Sequence, residues 1–247
     1  MNRFGAFGIH LGISLIIFAI LGYLILYHWY PDFFFASDGG WQGIRIVAFV
    51  DLVLGPTLTL VVFNRSKPRK ELRRDLSIIG IVQLTCLVAG TYVVYSQRPI
   101  AMAYADGYFH SLSRDDFLEA GLAVPDLSRF PGSPPKWVSV HFPEDPAEQS
   151  VLRRDAMQKG IPTRLLYQLY KPFDVGDIDL VTDGYAAKDL SHEPQVRARL
   201  KELTAKHGGS LDEFRLLPFG TRYRMAMIAY RPRDKLIVYL DQPESDE

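Results

Sequence analysis

Three apolar stretches of membrane-crossing length are packed into the first 95 residues, and they limit the fold more than any other feature. Ile9–Tyr27 (IHLGISLIIFAILGYLILY) carries no formal charge, Ile44–Phe63 (IRIVAFVDLVLGPTLTLVVF) carries Arg45 and Asp51, and Leu76–Tyr95 (LSIIGIVQLTCLVAGTYVVY) again carries none. A helix needs roughly 20 mainly apolar residues to cross the hydrocarbon core of a bilayer. One such run is compatible with a buried helix of a soluble protein; three in succession predict three spans. The first follows Arg3, as a secretory leader would. It is long for a leader's apolar core, however, and ends in YHWYPDFFF without a small-x-small cleavage site, so it is expected to remain as a helix.

The rest of the chain has a different character. Of 28 basic and 28 acidic residues, residues 1–95 hold only 8 and 5, which leaves 20 and 23 for residues 96–247. Zero net charge argues against a nucleic-acid partner, and 48% hydrophobic content excludes disorder as the main state. The expected organisation is a three-span domain over residues 1–97 and a soluble domain over residues 98–247. Cys86 stands alone, so no intramolecular disulfide, CxxC metal site or dithiol redox motif is possible.

Orientation follows from the short loops. Residues 64–75 carry Arg65, Lys67, Arg69, Lys70, Arg73 and Arg74, whereas residues 28–43 carry no Lys or Arg. Basic loops stay in the cytoplasm. The N-terminus is therefore predicted inside, and residues 96–247 outside, which for a bacterial inner membrane means the periplasm. Tyr27, Trp29, Tyr30, Phe33–Phe35, Trp41 and Tyr95 form the expected outer aromatic belt.

Polar residues inside the spans are costly and call for partners. Asp51 is placed roughly 10 Å below the outer interface, at about 1.5 Å of rise per residue. Pro56 follows Gly55 and is expected to kink the helix, because it lacks an N–H and its ring clashes with the Leu52 carbonyl. Thr57 and Thr59 are local candidates for the freed backbone groups. Gln83 of the third span falls near the level of Thr57, which suggests a Gln83–Thr57 hydrogen bond between spans. Two readings stand. In one, Asp51, Gly55, Pro56, Thr57, Thr59 and Gln83 form a recognition surface for a partner helix. In the other, Asp51 is protonated or bonded to Tyr92 or a backbone group and only fixes the bundle. Gly8-x-x-x-Gly12 is a small-xxx-small pattern that permits close helix approach. His10 between these glycines reads as a packing or interfacial residue.

The combination AFGIHLGISL, WYP, VDLVLGPTLTLVVF, a Lys/Arg-rich loop closed by an Asp, a third span with a central Gln, and Arg98-Pro99-Ile100 resembles the type IV pilin accessory family (TfpX/TfpZ-like, related to the fimbrial assembly protein FimB). The resemblance extends over residues 4–112. It implies a non-enzymatic inner-membrane accessory factor or chaperone for a particular type IV pilin, whose membrane helix and outer head would be the partners alongside the lipid bilayer.

The soluble part reads as α+β with about six strands and three helices. Arg98-Pro99 ends the third helix. Ile100–Ala105 and Tyr108–Leu112 flank Asp106-Gly107, a good two-residue hairpin turn. Ser113-x-x-Asp116 is a capping-box variant opening a helix to Ala120. Lys136–Phe142 alternates as a strand, and Asp145-Pro146-Ala147-Glu148 starts a helix to about Lys159. Leu165–Tyr170 is expected as a strand, Pro194–His207 as a helix, and Tyr223–Tyr230 with Lys235–Leu240 as a second hairpin.

No nucleotide, metalloprotease or nucleophile-elbow motif occurs, and no cofactor, metal or catalytic residue is expected. Ser139 and His141 share a strand face and read as half-buried sheet residues, not as a dyad. The competing function class is a membrane-anchored periplasmic sensor or ligand-binding module. It would need a cytoplasmic output, and the inner segments of about 8 and 12 residues are too short to be one.

Overall fold

The computed structural model describes residues 3–63, 67–179, 182–190 and 194–240. The chain falls into two compact units, Met1–Arg98 and Pro99–Glu247.

Among the described residues, the first unit contains three helices long and apolar enough to cross a membrane: Arg3–Trp29, Gly40–Val62 and Arg69–Ser96. The first consists of α1 (Arg3–Leu24) and a π turn over Ile25–Trp29. A short helix α2 (Phe34–Ser37) follows. The second is built from α3 (Gly40–Ala48), a π turn over Phe49–Leu54 and α4 (Gly55–Val62). The third is the single helix α5 (Arg69–Ser96). The kink expected at Pro56 takes the form of the second π turn. The Gly55 N–H bonds back to the Val50 carbonyl, five residues away. The next residue, Pro56, has no N–H to offer, so the ladder is already interrupted where the wide turn sits. At one end of the unit Ile25, Tyr30, Val47 and Val94 form a small core, and the Tyr30 hydroxyl donates to the Val94 carbonyl at 2.8 Å. Gly43 belongs to the same contact: a Cβ there would lie 2.8 Å from Val94 Cγ1. Nothing lies within 4 Å of a Cβ built at Gly8 or Gly12, so that pattern is not a helix contact in this chain.

The second unit is a mixed sheet with helices. Its elements are β1 (Pro99–Ala105), β2 (Tyr108–Ser113), α6 (Arg114–Glu119), β3 (Lys136–Val140), α7 (Pro146–Gln158), β4 (Tyr170–Pro172), β5 (Tyr185–Ala186), α8 (Ala187–Leu190), α9 (Pro194–His207), β6 (Arg215–Gly220), β7 (Met225–Arg231) and β8 (Leu236–Leu240). The strand order is β4-β3-β1-β2-β6-β7-β8, with β5 beside β6. β1–β3 and β2–β6 pair in parallel and the remainder antiparallel. The first hairpin turns at Asp106 and Gly107, both with positive φ (51° and 80°), as a type I′ turn requires. Among the described residues, two clusters of buried side chains stand out. Ala101, Ala103, Leu112, Phe117, Phe130, Val138 and Tyr170 form one; Ala187, Leu200, Leu203, Phe214, Leu216 and Ala229 form the other.

Three expectations for this unit are corrected. Among the described residues the sheet has eight strands, not about six, because β4, β5 and β6 were not anticipated, and the unit has four helices, not three, because α8 was not either. Pro218 interrupts the β6 pattern, and a proline argues against a central strand. It is accommodated because β2 meets β6 only at Phe219 and Gly220. Leu165–Tyr170 is not a strand: it forms two 3₁₀ turns, Thr163–Leu165 and Tyr167–Leu169, before β4 begins at Tyr170.

Candidate functional site

Five polar residues of the apolar helices converge in one network. α1 contributes His10 and Ser14, the second helix Asp51 and Thr59, and α5 contributes Gln83. His10 Nε2 lies 2.7 Å from Gln83 Oε1, and His10 Nδ1 lies 2.5 Å from Thr59 Oγ1. An amide oxygen only accepts, so Nε2 carries a proton, and in the neutral ring Nδ1 accepts from the threonine hydroxyl. Gln83 Nε2 donates to Asp51 Oδ1 at 2.8 Å and to Ser14 Oγ at 3.4 Å. Ser14 Oγ in turn donates to Asp51 Oδ1 at 3.2 Å. Asp51 is 0% exposed, and its Oδ2 has no hydrogen-bond partner.

The backbone makes room for this arrangement. A Cβ at Gly55 would lie 2.1 Å from Gln83 Oε1, so only glycine lets the amide lie flat against the second helix. Gly55 and Thr59 are four residues apart and share that face. Thr57, two residues from each, lies roughly 200° around the helix at 3.6 residues per turn, and it is exposed.

Of the six residues expected to recognise a partner helix, Asp51, Thr59 and Gln83 bond within the chain's own helices, and Gly55 makes room for Gln83. Asp51, Gly55, Pro56, Thr59 and Gln83 are buried, and Thr57 alone faces outward. The expected Gln83–Thr57 bond is not formed, for the rotational reason just given. Asp51 is held by Gln83 and Ser14 and not by Tyr92, which is 66% exposed. His10 is no mere packing residue, since it bonds to both other helices. The signal that would have found it is spacing: His10 and Ser14 lie one turn apart on α1, the pattern of a polar face.

The basic segment is only partly described. Arg65 lies outside the described residues. Lys67 bonds to Asp75 at 2.8 Å and Arg74 lies 3.6 Å from the same carboxylate, while Arg69, Lys70 and Arg73 open α5.

In the sheet unit, a polar pocket of about 370 Å³ lies between the β1–β2 turn, the end of β3 and α7. Ser139 is buried there. Its hydroxyl donates to Asp177 Oδ2 at 2.6 Å and lies 2.8 Å from His141 Nε2, and the same His141 nitrogen is 3.2 Å from Asp177 Oδ1. A nucleophilic triad places the acid on the ring nitrogen away from the serine. Here both meet Nε2, and the serine proton points to the carboxylate. The three side chains thus fasten the Asp174–Asp177 turn to β3. Tyr104 bonds to Asp183 in the same pocket, and its hydroxyl is held well above the usual tyrosine range, first by burial and then by that carboxylate.

The chain is 33% identical over 126 residues to the serogroup I fimbrial assembly protein of Dichelobacter nodosus and 32% identical over 126 residues to the serogroup E1 protein. With the fimbrial assembly protein of serogroups C1 and C2 it shares 33% identity over 111 residues, which are 45% of this chain and 85% of that relative. The chain belongs to the fimbrial assembly protein family. In the serogroup I and E1 members of that family, the match spans 49% of their length and 50% of this chain. No family model matches the chain, and no solved structure matches it.

Proposed function

We propose that this fimbrial assembly family member is an inner-membrane accessory factor that supports assembly or stability of a specific type IV pilin, without catalysis of its own. The similarity to named fimbrial assembly proteins carries this reading. Three membrane-length helices support it, since a subunit with an apolar helix needs a partner at the same depth. In this reading the N-terminus and basic segment are cytoplasmic and the sheet unit is periplasmic. In this reading the five buried residues act through the shape of the bundle, and the exposed Thr57 touches a pilin helix directly. Deletion of the gene, with pilin level and surface pili measured, tests the proposal; loss of pili with the pilin gene intact is expected, and undiminished piliation would refute it. The polar pocket beside Ser139 favours a second reading, a membrane-anchored ligand-binding module. That reading expects normal piliation after deletion and loss of function from pocket substitutions alone.

A further inference from the structure

Between α1 and α5 lies an apolar slot of about 470 Å³ that the polar network does not use. Ile17, Ile20 and Leu21 line one side, and Leu87, Val88 and Tyr92 line the other. Both ends are stopped. About one turn beyond Ile17 and Leu87, His10 and Ser14 bond to Gln83 and tie the two helices together. At the opposite end Trp29 and Tyr95 meet edge to face, with ring centroids 5.2 Å apart. From Ile17 to Trp29 the helix rises roughly 18 Å. Half of the hydrocarbon core of a bilayer is roughly 15 Å, so the slot is about one leaflet tall. A docked helix is about 10 Å wide and needs a track that continues past it. A track stopped at both ends suits a single flexible hydrocarbon chain instead.

A cation stands at the aromatic end. The Arg98 guanidinium lies 3.5 Å from the Tyr95 ring centroid, and its Nη1 donates to the Tyr95 carbonyl at 2.6 Å. No carboxylate among the described residues pairs with it. A guanidinium keeps several donors free in this posture, and its planar fork fits a phosphate bidentately. We propose that the slot binds one acyl chain of an anionic phospholipid, whose phosphate rests on Arg98. The lipid then fills the space between the two helices.

The test is native mass spectrometry of the full-length chain, purified from bacterial membranes in mild detergent, with the retained lipids identified. The wild type is expected to keep phospholipid, with phosphatidylglycerol or cardiolipin enriched over phosphatidylethanolamine. Ile20→Trp and Val88→Trp change exposed positions (57% and 60%), so they fill the slot without disturbing the packed face of either helix. Each should lower retention about tenfold or more, the size of effect that separates a site from general solvation by lipid. Arg98→Gln should keep the chain bound and erase the preference for anionic headgroups. Absence of retained lipid on the wild type, or equal retention in both tryptophan variants, would overturn the proposal. So would a photocrosslinker at residue 88 that captures a polypeptide in place of lipid.

Discussion

Gln83 spends both ends of its amide on different helices, with its oxygen toward His10 and its nitrogen toward Asp51. An interhelical hydrogen bond in an apolar medium contributes about 0.6–2 kcal/mol, so this one side chain ranks among the larger contributors to the bundle. The neighbouring Gly55 exists to admit it. Gly55→Ala should therefore destabilise the protein strongly in the wild-type background, yet be nearly neutral once Gln83→Ala has removed the obstructing amide. Thermal unfolding of the wild type and the three variants in detergent checks this, and additive losses would refute it. The sequence made Asp51 and Gln83 conspicuous, because a polar group in an apolar run is visible without a structure. It did not show that they bond to each other, since the rotation of three helices about their axes is a property of packing. His10 was read as a packing or interfacial residue, although its one-turn spacing from Ser14 was visible in the sequence. In the sheet unit, burial together with nearby Arg164 pushes the His110 imidazole down from its ordinary 6.5 to about 4. An unfolded chain takes up that proton near pH 6.5, so between there and about pH 4 it binds more protons than the folded chain, and stability falls as the pH drops. The full loss is at most about 3 kcal/mol, at 1.36 kcal/mol per pKa unit. His110→Phe should remove this component. The stability difference between wild type and variant, measured by urea unfolding, should be constant above pH 6.5 and shift against the wild type below it. A difference that stays flat throughout would refute the assignment.

Among the elements, those bounded by local chemistry were legible. The capping box at Ser113 is present: Asp116 accepts from the Ser113 N–H at 2.6 Å, and the Ser113 hydroxyl accepts from the Asp116 N–H. Ser113→Ala should cost about 0.5–2 kcal/mol, as loss of a helix N-cap does, with Asp116→Ala giving a similar loss. Chemical unfolding of the purified chain reads both. The Asp145-Pro146 start of α7 was legible for the same reason. Elements that depend on distant partners were not. β6 contains a proline and is defined by β7 on one side and short contacts with β2 and β5 on the other, and no local pattern announces that. The wide turn over Phe49–Leu54 was only half visible: Pro56 announces an interruption, but not that the ladder answers it by lengthening to five residues.

At the scale of the whole molecule, the distribution of Lys and Arg sets the expected orientation. If 64–75 is the cytoplasmic loop, a phosphatase reporter fused after Ser96 should be active and one fused at Lys70 inactive. Neutralising Arg65, Lys67, Arg69, Lys70, Arg73 and Arg74 together should weaken or invert this pattern. Inactivity after Ser96 combined with activity at Lys70 in the wild type would refute it. A different consequence concerns time. The ribosome makes α5 last of the three apolar helices, and α5 holds the amide that Asp51 and His10 share. While only the first two helices exist, His10 can already meet Thr59, but Asp51 has nothing except the Ser14 hydroxyl. The carboxylate therefore stays short of donors until translation has passed residue 83. A chain interrupted early lacks the amide that Asp51 Oδ1 accepts from, and a chain that has passed Gln83 supplies it, leaving only Oδ2 without a partner.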